Sequence, residues 1–304
     1  MDKRLTQCLN RTILQRSFCD FVVFLALKYH QGDSSLHCPT DDAFLVKFLR
    51  ARKYNTQAAF ENIKKYFKVR TEHPEMFKDL TPSRIPFDAA CRKHRLITVS
   101  RQKDPMGRMA VLLKTGAWNT DICSLNDFFR VVLVIFEHYI HCEDSLERGV
   151  VVILDLKGLN FYHVAHYAPS SIRTVIKPLK HLFHDCMPLR LKGIYVINNP
   201  PIFDLLFGIA ENFLKAKLVR RIRLFGYDLE ELRQIMPDDV IPKEHGGTNE
   251  SYDYGPLERE LESEEDYYQK LGSYGYRNTP KTSVPGSNGL LTREKTLREE
   301  YVRL

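Results

Sequence analysis

Two runs limit the fold more than anything else in this chain: Gly149–Leu156 (GVVVILDL) and Gly193–Asn198 (GIYVIN). Both are apolar on nearly every residue, without alternation. A strand apolar on both faces needs cover on both faces, which is the condition of a parallel sheet between helical layers. Three shorter β-rich runs, Arg95–Ser100, Arg108–Thr115 and Arg221–Phe225, are predicted to join them. Helical patterns fall between the runs, over Ser124–His141, Ser170–His184 and Pro201–Arg220. Strand and helix in alternation predict an α/β domain with a mostly parallel sheet. Gln102–Gly107 (QKDPMG) reads as a hairpin turn.

The first ninety residues read as helical instead. Asp41–Tyr54 places Phe44, Leu45, Phe48 and Leu49 on one stripe, with Lys47, Arg50 and Lys53 elsewhere. Asp41 or Thr40 is suited to cap its start. A second helix, with Thr56 as its expected cap, carries Ala59, Ile63, Tyr66 and Phe67 and ends at His73-Pro74. The organisation expected is a helical region over 1–88, an α/β domain over 89–250, and a third part over 251–304. That last part holds an acidic stretch, Glu258–Asp266, and beyond Tyr274 a polar tail too poor in apolar residues to offset ordering.

The segment Pro188–Gly226 concentrates the charge of the chain. It holds seven Lys/Arg and two acids, a net of +5 against +7 for all 304 residues. Inside it, Asp204, Gly208, Glu211 and Asn212 fall on one narrow face of a helix that is otherwise Ile, Phe, Leu and Ala. A greasy helix with cations at both ends suits a membrane interface or an amphiphilic ligand. It also suits a core helix with a solvated basic end.

The search for catalytic chemistry yields little. There is no G-x-S-x-G elbow, no phosphate-binding G-x-x-x-x-G-K-[ST] loop and no G-x-G-x-x-G fingerprint. His181, His184 and Asp185 lie close in sequence, but without an H-E-x-x-H pattern solvated or capping histidines are the simpler reading. Nothing places a base beside Cys186. Asp155 ends a buried strand, where an Asp capping the next turn is favoured over a working group. Seven scattered cysteines without CxxC pairs argue against a disulfide framework or zinc site. No apolar run reaches the ~18 residues of a membrane span; the nearest is Phe21–Leu27. A binding protein rather than an enzyme is expected, with no cofactor and no metal. The cations border a greasy helix and no nucleic-acid motif appears, so nucleic acid is not an expected partner.

Several stretches together carry a family likeness. DDAFLVKFLRARKYNTQAAFENIKKYFKVR…HPEMF, VVVILDLKGL, PLRLKGIYVIN, NPPIFDLLF and IPKEHGG, in that order over Asp41–Gly247, resemble the landmarks of the CRAL-TRIO lipid-binding family. The nearest branch is that of alpha-tocopherol transfer protein, cellular retinaldehyde-binding protein and clavesin. The resemblance implies a sheet flooring an apolar cavity, closed by a gate helix that corresponds here to Asn199–Arg221. It implies a cavity lined by Phe129, Val132, Phe136, Leu154, Leu182, Phe183, Leu189, Ile194, Ile202, Phe203, Leu206 and Phe207. It also implies a phosphoinositide headgroup cleft whose cations match Arg52, Arg190, Lys217 and Arg221. The partners implied are a hydrophobic ligand such as a tocopherol, a retinoid or another lipid, the headgroup, and an anionic membrane surface. The location implied is cytoplasmic, with reversible association to endosomal or other intracellular membranes. The function implied is a lipid carrier; the alternative is a phosphoinositide-binding trafficking adaptor that moves no cargo.

Overall fold

The structure is a computed structural model describing residues 36–142, 148–166, 187–211, 214, 216–249 and 253–276. The predicted helix Ser170–His184, the Phe21–Leu27 run, the His181/His184 pair, Cys186 and the chain after 276 lie outside these residues.

The helical region begins with a two-residue strand, β1 (Leu36–His37), and then α1 (Asp42–Ala51). Asp41 caps α1, its carboxylate accepting from the Phe44 amide at 2.9 Å. The second helix, α2 (Thr56–Glu72), takes a different cap from the one expected: Asn55 Oδ1 accepts from the Ala58 amide at 2.8 Å, and Thr56 is the first helical residue. Asn is among the strongest capping residues, and it stands one position earlier. His73 ends α2 and Pro74 opens a short helix, α3 (Pro74–Phe77). Phe44, Phe48, Tyr66 and Phe67 interlock between α1 and α2, with ring centroids 5.0–6.4 Å apart.

The α/β region carries all five predicted strands: β2 (Ile97–Lys103), β3 (Met109–Leu113), β4 (Val150–Asp155), β5 (Leu191–Ile197) and β6 (Ile222–Gly226). Their order in the sheet follows their order in the chain. β2 and β3 are antiparallel across the predicted turn, which Gly107 closes by donating to the Asp104 carbonyl at 2.8 Å. β3–β4, β4–β5 and β5–β6 are parallel. Between β3 and β4 runs α4 (Leu125–Cys142); after β4 comes α5 (Phe161–His166). The single helix predicted over Pro201–Arg220 is described as two segments, α6 (Pro201–Glu211) and α7 (Ala216–Val219).

The period-two rule of strands explains the apolar runs. Along β4, Val150 and Val152 join the main core, which α1, α2 and α4 share, while Val151 and Ile153 join a second core on the opposite face. That second core is completed by Leu232 of α8 (Glu230–Arg233), then Met236, Val240 and Ile241. Both faces are covered, as continuous apolarity requires.

The acidic stretch folds. It forms α9 (Gly255–Ser263) and α10 (Glu265–Gly272), which bury Leu257, Leu261, Tyr268 and Leu271 in the main core. β7 (Gly275–Tyr276) then pairs antiparallel with β1.

Candidate lipid and headgroup site

Asp155 stands at the carboxyl end of β4 and is buried. Its Oδ1 accepts from the Lys157 amide at 2.9 Å and from Asn198 Nδ2 at 2.8 Å; its Oδ2 pairs with His245 Nε2 at 2.7 Å. Burial raises this carboxyl, but the bonds from His245, Asn198 and Lys157 outweigh it and the group titrates below the ordinary aspartate range. The predicted capping role is therefore observed, and it extends further: one carboxylate ties the ends of β4 and β5 to the IPKEHGG turn. In that turn a Cβ on Gly247 would meet the Ile241 carbonyl oxygen at 1.9 Å, so only glycine fits. Among the described residues, no three His, Cys, Asp or Glu side chains gather to hold a metal ion.

Beyond Asp155, the main-core face of the sheet runs toward α6. Leu154, Ile194 and Ile222 on the strands pack with Ile202 and Phe203 of α6 over buried Leu156, Leu159 and Val196. Leu154 and Ile194 also touch the main core, so the apolar surface is continuous from α4 to α6. Of the residues expected at the cavity, Val132 and Phe136 are buried in the main core. Phe129 and Leu189 are partly buried against it. Phe207 stacks on Phe203 at 5.7 Å. Leu182, Phe183 and the Leu206 side chain lie outside the described residues.

A cleft of about 360 Å³ opens on the other side of Leu189. Arg52, Arg190, Lys217 and Arg221 all line it, although more than a hundred residues separate the first from the others. Each reaches it by a different local device. Arg52 is the C-terminal cap of α1, and its Nε donates to Asn62 Oδ1 at 3.0 Å. Arg190 precedes β5, where its carbonyl accepts from the Val150 amide at 3.0 Å. The strands approach closely there because position 149 is glycine at φ +90°; a Cβ would lie 2.2 Å from the Arg190 carbonyl oxygen. Lys217 is exposed on α7 while its neighbour Leu218 is buried. Arg221 lies past the end of α7, with its amide donating to Leu218 O at 2.9 Å.

Sequence reasoning missed two more cations in the cleft, Lys53 and Lys192. Lys192 was legible: it lies only two residues from Arg190 in the chain, at the start of β5. Lys53 was not, because its place depends on left-handed backbone at Lys53 and Tyr54 (φ 53° and 62°) between α1 and α2. Among the described residues, six cations and no acid therefore line the cleft. Partial burial, then Arg190, Arg221, Arg108 and Lys53, pull the Lys192 ammonium below its ordinary value. Such a surface suits a polyanion, with the Arg forks suited to phosphate oxygens.

Comparison with known proteins bears on the family and the fold. The CRAL/TRIO domain model matches residues 93–247, and the model of its N-terminal domain matches 28–65. Human alpha-tocopherol transfer protein-like is 32% identical over 236 residues, 78% of this chain and 67% of that protein. Clavesin-1 of Xenopus laevis is 34% identical over 226 residues, 73% of this chain and 65% of that protein. A crystal structure of Sfh5 covers 95% of this chain and 96% of that one, with a TM-score of 0.51 at 15% identity, which is a likeness of fold. With the sheet order, the covering helices and both models falling in register along one sequence, the chain belongs to the CRAL/TRIO family.

Proposed function

We propose that this protein is an intracellular carrier that holds a hydrophobic molecule between the sheet and α6 and exchanges it at phosphoinositide-containing membranes. The observation that carries the reading is the wall between the two regions. Leu189 and Leu218 line the six-cation cleft and pack into the main apolar core, and α7, which bears Lys217, follows the gate helix α6. A headgroup in the cleft touches the segment that ends the gate. Cargo gains roughly 0.8 kcal/mol per buried CH₂, and each cation near an anionic bilayer adds roughly 1 kcal/mol. Coupling between the two ligands is reciprocal: the headgroup that loosens cargo is itself bound less tightly when cargo is present.

The cytoplasmic side and reversible attachment fit a chain in which, among the described residues, no helix is long and apolar enough to cross a membrane. A tocopherol, a retinoid or another lipid of that kind is the cargo class. The adaptor reading draws less support, because the acidic stretch is engaged within the chain: Glu258 pairs with Arg92, Glu260 and Glu264 with His138, and Glu265 with Ser83. The test is transfer of a fluorescent tocopherol between vesicles. Transfer is expected to accelerate when the acceptor contains a bisphosphorylated inositide, and Arg190→Ala with Lys217→Ala is expected to abolish the acceleration. Equal rates with and without the inositide would sink the coupling.

A further inference from the structure

Lys53 and Lys192 line the basic cleft beside the four cations that the family resemblance implies, and both are exposed. Each is placed there by its own local device. α1 ends with the Lys53 amide donating to the Arg50 carbonyl at 3.2 Å and the Tyr54 amide to the Leu49 carbonyl at 2.8 Å. Those paired bonds turn the residue past the cap into left-handed backbone, where glycine is usual. Lysine at φ 53° is strained there as glycine is not. What lysine offers instead is an ammonium in the cleft lining. The stem of Lys192 crosses Gly149, where a Cβ would lie 2.8 Å from Lys192 Cγ and 3.2 Å from its Cε. Lys53 is near enough to help disfavour the Lys192 charge, together with Arg190, Arg221 and Arg108. The two ammoniums therefore stand within electrostatic reach of each other, against their own repulsion.

We propose that Lys53 and Lys192 form a third phosphate position in this cleft, so that it selects an inositol ring bearing three phosphomonoesters over one bearing two. The inference rests on the headgroup reading above and goes past it to the number of phosphates. A phosphomonoester carries about −1.5 to −2 at neutral pH. Two of them bring roughly −3 to −4, which Arg52, Arg190, Lys217 and Arg221 offset. A third brings roughly another −1.5 to −2, which matches two further cations. Lysine suits such a position, because it binds phosphate as a point charge without the fixed geometry of the Arg fork. The volume of about 360 Å³ lies within the ~300–1,000 Å³ of small-molecule sites.

The full chain is sedimented with vesicles holding a bisphosphorylated or a trisphosphorylated inositide, brought to equal surface charge with phosphatidylserine. The readout is the ratio of the two affinities, because losing any cation weakens binding to both. Wild type is expected to bind the trisphosphorylated vesicles at least about tenfold more tightly. Lys53→Gln with Lys192→Gln is expected to bring that ratio below about twofold. Lys68→Gln with Lys93→Gln, two exposed lysines outside the cleft lining, is expected to leave it unchanged. Calorimetry with the water-soluble headgroups of the same lipids separates the sources. Preference on vesicles supports the proposal with a lipid headgroup as ligand; preference among the soluble headgroups alone supports it with a free inositol phosphate. The proposal is overturned if wild type shows no preference in either form while Arg190→Ala with Lys217→Ala still weakens binding; the headgroup reading then stands without it. It is also overturned if the preference survives in the Lys53, Lys192 variant or disappears in the Lys68, Lys93 control. Binding no tighter than to phosphatidylserine vesicles of the same charge would overturn the headgroup reading and this inference together.

Discussion

Two groups of cations in this molecule have opposite surroundings. Lys47 is enclosed between α1, α4 and α10. Its Nζ lies 3.3 Å from Glu137 Oε1 and donates to the Tyr267 hydroxyl at 2.9 Å. The Tyr66 hydroxyl donates to Glu137 Oε2 at 2.9 Å and accepts from Arg70 at 3.0 Å. Among the described residues, the lining of the basic cleft holds six cations and no acid. A buried charge must be paired, or its desolvation dominates. A set of like charges gathered at a surface costs stability through mutual repulsion. The first group holds the fold; under the proposed function the second receives an anion.

The sharpest way to break that contrast is to delete one partner from each group. Glu137→Ala leaves Lys47 buried and uncompensated, and is expected to cost about 3–5 kcal/mol in denaturant unfolding. Lys47→Met with Glu137→Leu together should lose much less. Arg190→Ala should leave the unfolding midpoint unmoved. Acid extends the test. Burial raises the Glu137 carboxyl, but Lys47, Arg70 and the Tyr66 bond reverse it and hold the group below its ordinary value of 4.5. A depressed carboxylate contributes stability that is full above the unfolded value and is lost as pH falls through the folded one. Wild type should therefore lose stability below about pH 4.5 more steeply than the Lys47→Met, Glu137→Leu variant. Equal acid slopes would deny the pair its structural role.

The cleft should show the reverse behaviour. Arg190→Ala with Lys217→Ala is expected to weaken binding to inositide vesicles by about 2 kcal/mol, roughly thirty-fold. Raised salt should erase much of the difference, because the screening length is about 8 Å at physiological ionic strength. Sedimentation with vesicles, alongside thermal unfolding, reads both quantities. Loss of melting temperature without loss of vesicle binding would put these cations in the structural group.

The contrast also shows what the sequence made legible. The strands, α4 and the Asp41 cap followed from local rules, because apolar runs and capping residues act within a few positions. The four cleft cations followed from the family resemblance, since no local pattern joins Arg52 to Arg190. Lys47 falls off the apolar stripe of its helix, and its partners lie 90 and 220 residues away, on helices whose docking no periodicity encodes. The acidic stretch is a parallel case. Its glutamates pair with residues far upstream, while the amphipathic spacing of Leu257, Leu261, Tyr268 and Leu271 held the truer signal.

Lys53 sharpens the comparison at smaller scale. Its left-handed backbone costs on the order of 1 kcal/mol, and the strain sits beside the cleft rather than in the buried group. Lys53→Gly relieves the strain and removes a cation. Unfolding should show a gain of up to ~1 kcal/mol, while vesicle affinity falls by roughly 1 kcal/mol. A loss in both would show that the turn, not the charge, is what the cleft requires.

The smallest effect expected is a proton. Lys192 titrates below the ordinary lysine value because partial burial and then Arg190, Arg221, Arg108 and Lys53 disfavour its charge. A lysine held low costs stability while it is protonated, and that cost fades as pH rises through its folded value. An anion in the cleft opposes the same neighbours, restores the ammonium and raises its pKa, so binding in alkaline buffer takes up a proton. Affinity for a soluble inositol phosphate should therefore decline as pH rises through the lowered Lys192 value, and calorimetry in buffers of different ionisation enthalpy should register proton uptake there. Lys192→Gln should bind more weakly at neutral pH and lose this alkaline decline, while Lys47→Met with Glu137→Leu should retain it. An unchanged decline in Lys192→Gln would assign the proton to another group and leave Lys192 outside the headgroup's reach.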